Sequence, residues 1–184
     1  MEPAVRSLQF EVFPVNSTMI RKCQDSDFDT IYTVVNDAAI AYKGVIPADC
    51  WHEPYMARAE VRAAIQSGIE FWGFEMNGEL IGVMGIQPVQ DVTLIRHAYV
   101  CTSHRRHGIG GQLLRFLLAR IGTPTLIGTW AAADWAIRFY EKYSFHLVTS
   151  AEKDRLLPKY WGVPQRQIET SVVLGNAMWF EFNR

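Results

Sequence analysis

The chain reads as one mixed α/β domain, an expectation resting on three observations. Nearly half of its 184 residues are apolar (49%) and 20% are charged, enough apolar matter for a sizeable core and too little charge for disorder. Short β-prone runs alternate along the chain with stretches of helical spacing. Between two of those runs stands Asn77-Gly78, a strong hairpin signal because a tight two-residue turn needs positive φ at both central positions.

Met19 to Cys23 alternates like a short strand. Asp25-Ser-Asp27 then offers capping oxygens to a helix whose apolar positions are Phe28, Ile31, Val34, Val35 and Ala38. Gly44 and Pro47 break that pattern, and a second amphipathic stretch runs from about Glu53 to Gln66, closed by Ser67-Gly68. Phe71–Met76 and Leu80–Ile86 form the arms of the hairpin, and Val92–Val100 is a third long strand. Ile109, Leu113, Leu114, Leu117, Leu118 and Ile121 give the next helix a wide apolar face that has to be buried. Gly122-Thr-Pro124 stops it, and Thr125–Trp130 is another strand. Ala136, Phe139, Tyr140 and Tyr143 mark a helix starting near Asp134. Phe145–Ser150 and Ile168–Leu174 complete the strands, with a polar loop holding Pro158 and Pro164 between them.

Residues 1–18 read as an N-terminal extension and 19–184 as a single domain, since no repeat or linker divides the chain. Eighteen basic against nineteen acidic side chains leave a formal charge of −1, so no global field favours nucleic acid or an anionic membrane. Cys23, Cys50 and Cys101 are an odd, unpatterned set, as for free thiols in a reducing compartment. No run of eighteen apolar residues exists, and Glu2, Arg6 and Glu11 interrupt the N-terminus where a signal peptide would be apolar. The expectation is a cytoplasmic protein.

The segment Tyr99-Val-Cys-Thr-Ser-His-Arg105-Arg106-His107-Gly108-Ile109-Gly110-Gly111-Gln112 ends a strand, gathers basic residues, supplies glycines and opens an apolar helix. The first amides of a helix have no partner inside it and carry partial positive charge, so an anion is favoured there. Glycines bring phosphate oxygens close to the backbone, while Arg105, Arg106 and His107 can add charge-assisted bonds. The segment reads as a pyrophosphate cradle. It lacks the Gly-Lys-Ser/Thr of a Walker loop, and Leu113 stands where a dinucleotide fingerprint needs a small residue.

On these residues the sequence resembles the GNAT family of acyl-CoA-dependent N-acetyltransferases. Arg105-Arg-His-Gly108-Ile-Gly110 matches the family pattern Gln/Arg-x-x-Gly-x-Gly/Ala, Ala98-Tyr99-Val100 sits where the family has its strand end, and Ala136 to Phe145 is similar to its Ala-x-x-x-Tyr-Glu-Lys-x-Gly-Phe segment. The resemblance implies a mostly antiparallel, twisted mixed sheet of six or seven strands with about four flanking helices. In it the 92–100 and 125–130 strands run parallel and splay apart around coenzyme A. It also implies that the amides of Arg106, His107, Gly108, Ile109, Gly110 and Gly111 hold the pyrophosphate of acetyl-CoA, the backbone of Tyr99 and Val100 holds the pantetheine arm and thioester, and Tyr140 is the general acid. Two departures stand out: Ala133 where many relatives carry a cofactor-contacting Asn, and Ser144 where the family has Gly.

Acyl transfer to an amine needs a neutral nucleophile, a polarised carbonyl and a proton for the departing thiolate. A tyrosine hydroxyl is protonated at neutral pH, which makes Tyr140 the leading catalytic candidate, with a core aromatic as its bland alternative. His97 and Glu75 are candidates for the base, against a structural histidine, a solvated strand carboxylate and a water relay. Cys101, His104 and His107 offer three metal ligands, but inside the loop that wraps phosphate, so no metal is expected. Tyr42, Trp51 and Tyr55 surround the loop that, by resemblance, borders the acceptor pocket. The expected activity is acetyl transfer from acetyl-CoA to a primary amine of a small molecule or peptide, with a homodimer as the assembly the resemblance allows and a catalytically silent acyl-CoA sensor as the alternative.

Overall fold

The computed structural model describes residues 17–183, so most of the expected N-terminal extension lies outside the described residues. Seven strands form one sheet: Thr18–Lys22 (β1), Glu70–Met76 (β2), Glu79–Val89 (β3), Val92–Val100 (β4), Thr125–Trp130 (β5), His146–Leu147 (β6) and Ser171–Gly175 (β7). Their order is β1-β2-β3-β4-β5-β7-β6, antiparallel throughout except for the parallel β4–β5 pair. The β2–β3 hairpin closes at Asn77 (φ 53°) and Gly78 (φ 85°), the two positive φ values its sequence calls for.

The helices are Phe28–Ala39 (α1), Arg58–Gln66 (α2), Ile109–Leu118 (α3), Asp134–Glu141 (α4), Ser150–Leu156 (α5), Gln165–Thr170 (α6) and Ala177–Phe182 (α7). Adjacent residues of a strand point to opposite faces, and the core divides accordingly. On one face Ile95, Ile127 and Leu174 pack with Leu113, Leu114 and Leu117 of α3 and with Tyr140 of α4. Burying such leucines stabilises by about 1.5–3 kcal/mol each, which is why the apolar stripe of α3 fixes its position. The other face carries two groups side by side. Phe71 and Val83 lie beneath α1 and α2, while Leu94, Leu126 and Val173 lie beneath Leu156, Leu157 and Ile168.

The described residues hold seven α-helices where about four were implied, and the three extra ones, α5, α6 and α7, lie in the C-terminal third. The expected polar loop before the last strand is α5, a π-helical turn over Leu157–Trp161, and α6, so β6 shrinks to two residues and β7 starts at Ser171. Thr149 caps α5 by accepting from the Glu152 amide, and Glu152 accepts from the Thr149 amide in return. Asn176 opens α7, its Oδ1 accepting from the amides of Trp179 (3.1 Å) and Thr125 (3.0 Å). No helix among the described residues is long and apolar enough to cross a membrane.

Candidate active site

The parallel pair holds only at Thr93, Leu94 and Ile95 opposite Thr125, Leu126 and Ile127. Beyond Ile95, β4 stays on β3 through Arg96, Tyr99 and Val100, while β5 stays on β7 through Gly128, Thr129 and Trp130, so a wedge opens between them. A β-bulge marks the parting: the β3–β4 register slips between Val83 and Gly85, where His97 adopts φ 51°. The Cys101 amide donates to Ile81 O on β3 at 2.9 Å, so alternation along β4 turns the Val100 amide to the opposite edge, toward the wedge. The wedge belongs to a cleft of about 1400 Å³ that crosses the sheet.

At one end of the cleft lies the start of α3. Arg106 (φ 65°) and Gly108 (φ 75°) take left-handed conformations, and the first intrahelical bond runs from Gln112 N to Gly108 O at 3.0 Å. The amides of Ile109, Gly110 and Gly111 therefore have no acceptor within the helix. A Cβ at Gly108 would meet nothing within 4 Å, and one at Gly110 would approach only Phe139 and Val100, no nearer than 3.5 Å, so the cradle is open. Gly111 is different, because a Cβ there would collide with the Tyr143 hydroxyl. Arg106 lines the cleft. Arg105 does so too, but its Nη2 donates to Ala38 O at 2.6 Å, at the carbonyl end of α1. With the Thr102 amide on Asp37 Oδ2 (2.6 Å), that bond fastens the loop to α1. His107 is exposed and is not among the lining residues.

Tyr140 lines the middle of the cleft, edge-on to Phe139 (centroids 5.0 Å apart) and Phe145 (6.2 Å). Burial, with Tyr42 nearby, holds its phenol well above the ordinary tyrosine range. Across the sheet an aromatic wall continues the cleft: Tyr42 stacks on Tyr55 and also meets Trp135, each at 5.6 Å, and Trp51 meets Tyr55 at 5.6 Å. Trp130 Nε1 donates to the Tyr55 hydroxyl at 2.9 Å, joining β5 to the α1–α2 connection. Burial pushes the Tyr42 phenol up to about 12.

His97 is half-buried between Phe71 (5.7 Å) and Tyr99 (6.5 Å), and its Nε2, shut off from solvent, meets no hydrogen-bond partner among the described residues. Burial, with the neighbouring Arg96 charge, drives it down to about 3, so it is neutral at physiological pH. Glu75 accepts from Arg21 Nε at 2.6 Å and does not line the cleft, which removes it from the candidate bases. Cys101, His104 and His107 do not converge; His104 Nδ1 meets the Ser103 hydroxyl at 2.9 Å, and burial raises the Cys101 thiol. Among the described residues no three His, Cys, Asp or Glu side chains form a metal-binding group. Ser144 takes φ 62°, the left-handed turn for which the family's glycine is suited.

Sequence reasoning passed over Arg96, Trp130 and Trp161, which line the same cleft. Trp161 lies over Gly128, where a Cβ would come within 3.3–3.4 Å of its ring. Bidentate bonds from Arg166 to Asp49 (2.7 and 3.1 Å) span the exposed mouth on this side.

The family model for the acetyltransferase (GNAT) domain matches residues 67–147, the stretch from β2 through β6. The peptidyl-lysine N-acetyltransferase YiaC of Escherichia coli is 24% identical over 143 residues, covering 78% of this chain and 93% of that protein. The fold is similar to that of a Thermoplasma acidophilum PaiA N-acetyltransferase in complex with coenzyme A (TM-score 0.63, 16% identity, 87% of this chain and 98% of that one). It is also similar to YncA of Salmonella typhimurium with acetyl-CoA (TM-score 0.56, 20% identity, 73% and 82%).

Proposed function

From the match of residues 67–147 to the GNAT acetyltransferase domain, we propose that the protein transfers the acetyl group of acetyl-CoA directly to a primary amine. The observation that carries this reading is the continuity of one cleft from an open amide cradle, past an unpaired strand edge, to a buried phenol. Solved structures of the same fold hold coenzyme A and acetyl-CoA, which supports the choice of cosubstrate. When bound, acetyl-CoA supplies an activated thioester.

The amides of Gly108, Ile109, Gly110 and Gly111 grip the pyrophosphate, and Arg106 adds a charge-assisted bond. Arg105 acts from behind, holding the loop on α1. The Val100 amide, turned to the wedge, donates to the thioester carbonyl where negative charge develops, while Tyr99 supplies backbone beside it. Tyr140 keeps its proton at neutral pH and gives it to the departing sulfur. His97, down at about 3, is a poor acceptor for an ammonium proton, so water in the cleft carries that proton out.

The test is thiol release from acetyl-CoA with a panel of primary amines, paired with calorimetry of coenzyme A. Gly110→Glu places a carboxylate against phosphate and abolishes measurable coenzyme A binding if the cradle is correct. Unchanged affinity moves the site elsewhere. Binding without turnover of any amine would replace the transferase with an acyl-CoA sensor.

A further inference from the structure

On the face of the sheet opposite α3, the cleft holds a cation without a counter-charge. Arg96 pairs across the ladder with Gly85, and Gln87, two residues along β3 and so on the same face, is within its reach, the Gln87 amide being itself anchored to Ser67 O at 2.8 Å. The bond from Arg96 Nη1 to Gln87 Oε1 (2.9 Å) uses one of five N–H donors, and its acceptor is neutral. Burial alone lowers the guanidinium's affinity for its proton, with no carboxylate acting on it. The two carboxylates that line the cleft are committed elsewhere: Asp49 to Arg166, and Glu60 to the Ala57 amide at the start of α2. Beside Arg96, the half-buried His97 has an Nε2 with no partner among the described residues, and this ring also lines the cleft. A neutral imidazole can carry its proton on that nitrogen and donate it. A desolvated cation and an orphaned donor side by side are costly unless a ligand completes them.

We propose that the amine acceptor carries a carboxylate, which docks on the Arg96 fork with His97 Nε2 donating alongside, so that the acceptor class is amino acids rather than simple amines or polyamines. This rests on the transferase reading and deepens it. The planar guanidinium suits bidentate carboxylate binding. Tyr55, Trp130 and Trp161 supply apolar surface for the body of such a molecule. An acceptor bearing only ammonium groups meets Arg96 as a like charge, whereas an amino acid brings the anion the site lacks.

The experiment compares leucine, phenylalanine and 6-aminohexanoate, each against its own carboxamide, as acceptors in the thiol-release assay. The carboxylate of at least one pair is expected to show kcat/KM roughly tenfold or more above its amide. Arg96→Gln is expected to abolish that preference, with the loss in KM, while coenzyme A affinity reports an intact fold. Arg96→Lys keeps the charge without the fork and is expected to restore part of the preference. Amides used as well as carboxylates in every pair, or both forms losing equally in Arg96→Gln, overturns the proposal. If no amine turns over while coenzyme A binds, the transferase reading fails, and the anion site is read directly by tryptophan fluorescence titration with the same six compounds. Tighter binding of a carboxylate than its amide, lost in Arg96→Gln, sustains the site; equal binding removes it.

Discussion

His97 makes the fold sensitive to mild acid. The half-buried ring packs against Phe71 and Tyr99 with its Nε2 shut off from solvent, and its pKa falls from 6.5 to about 3. The unfolded chain binds a proton there below about pH 6.5, whereas the folded chain does not until near pH 3. The resulting stability is fully present above that window and drains away as pH falls through it, by about 1.4 kcal/mol per unit. Between about pH 7.5 and 5 the loss is about 2 kcal/mol. The groups facing the ring do not blur this. Arg96 stays charged, the buried Tyr99 phenol stays neutral, and Phe71 has no charge. Asparagine tolerates the positive φ of 51° at this position and does not titrate, so His97→Asn is the matched reference. Urea unfolding of both proteins should show wild type losing about 2 kcal/mol more than the variant across that interval. Carboxylates such as Asp27 and Glu70, whose pKa values ion pairs hold down, affect both proteins alike and cancel in the difference. A difference that does not change with pH would refute the burial argument and reopen His97 as a base.

Tyr140→Phe should lower kcat by about 10²-fold or more while leaving coenzyme A affinity intact, read by steady-state thiol release and calorimetry. Gly110→Ala separates folding from binding: its new methyl makes only ordinary contact with Phe139, at 3.5 Å. Replacing a helical glycine should raise stability by up to about 1 kcal/mol in thermal unfolding, while coenzyme A affinity drops because the cradle narrows. Asn176→Ala removes one oxygen serving two amides, those of Trp179 and Thr125, and should cost about 1–3 kcal/mol in urea unfolding without altering the KM for acetyl-CoA.

What was legible in the sequence is what local chemistry dictates. Asn77-Gly78 fixes a hairpin because the backbone requirement lies in those two residues, and the glycines around Ile109 announce an open helix start for the same reason. The helices after Thr149 were missed although Thr149-Ser-Ala-Glu152 is a capping box, because α5 and α6 are too short for an apolar period to emerge and Pro158 sits between them. Arg105 has the composition of a phosphate ligand, yet its guanidinium is drawn to the Ala38 carbonyl, a partner 67 residues away that no local pattern can supply. Arg96 was hidden differently. Strict alternation would set it and His97 on opposite faces, and only the bulge, a tertiary irregularity of the β3–β4 pairing, brings both to one side.

That bulge links the two halves of the proposed reaction. Parallel pairing with β5 stops at Ile95, just before the bulge, and beyond it the Val100 amide faces the wedge instead of a neighbouring strand. The same irregularity gathers the Arg96 cation and the orphaned His97 nitrogen on the face away from α3. A regular strand in its place would keep hydrogen-bonding to β5, close the thioester slot, and turn one of those two donors into the opposite core. In the proposed reaction, the strained backbone at a single left-handed histidine would hold open the slot for one substrate while arranging the donors that choose the other, and relieving it should impair binding of both together.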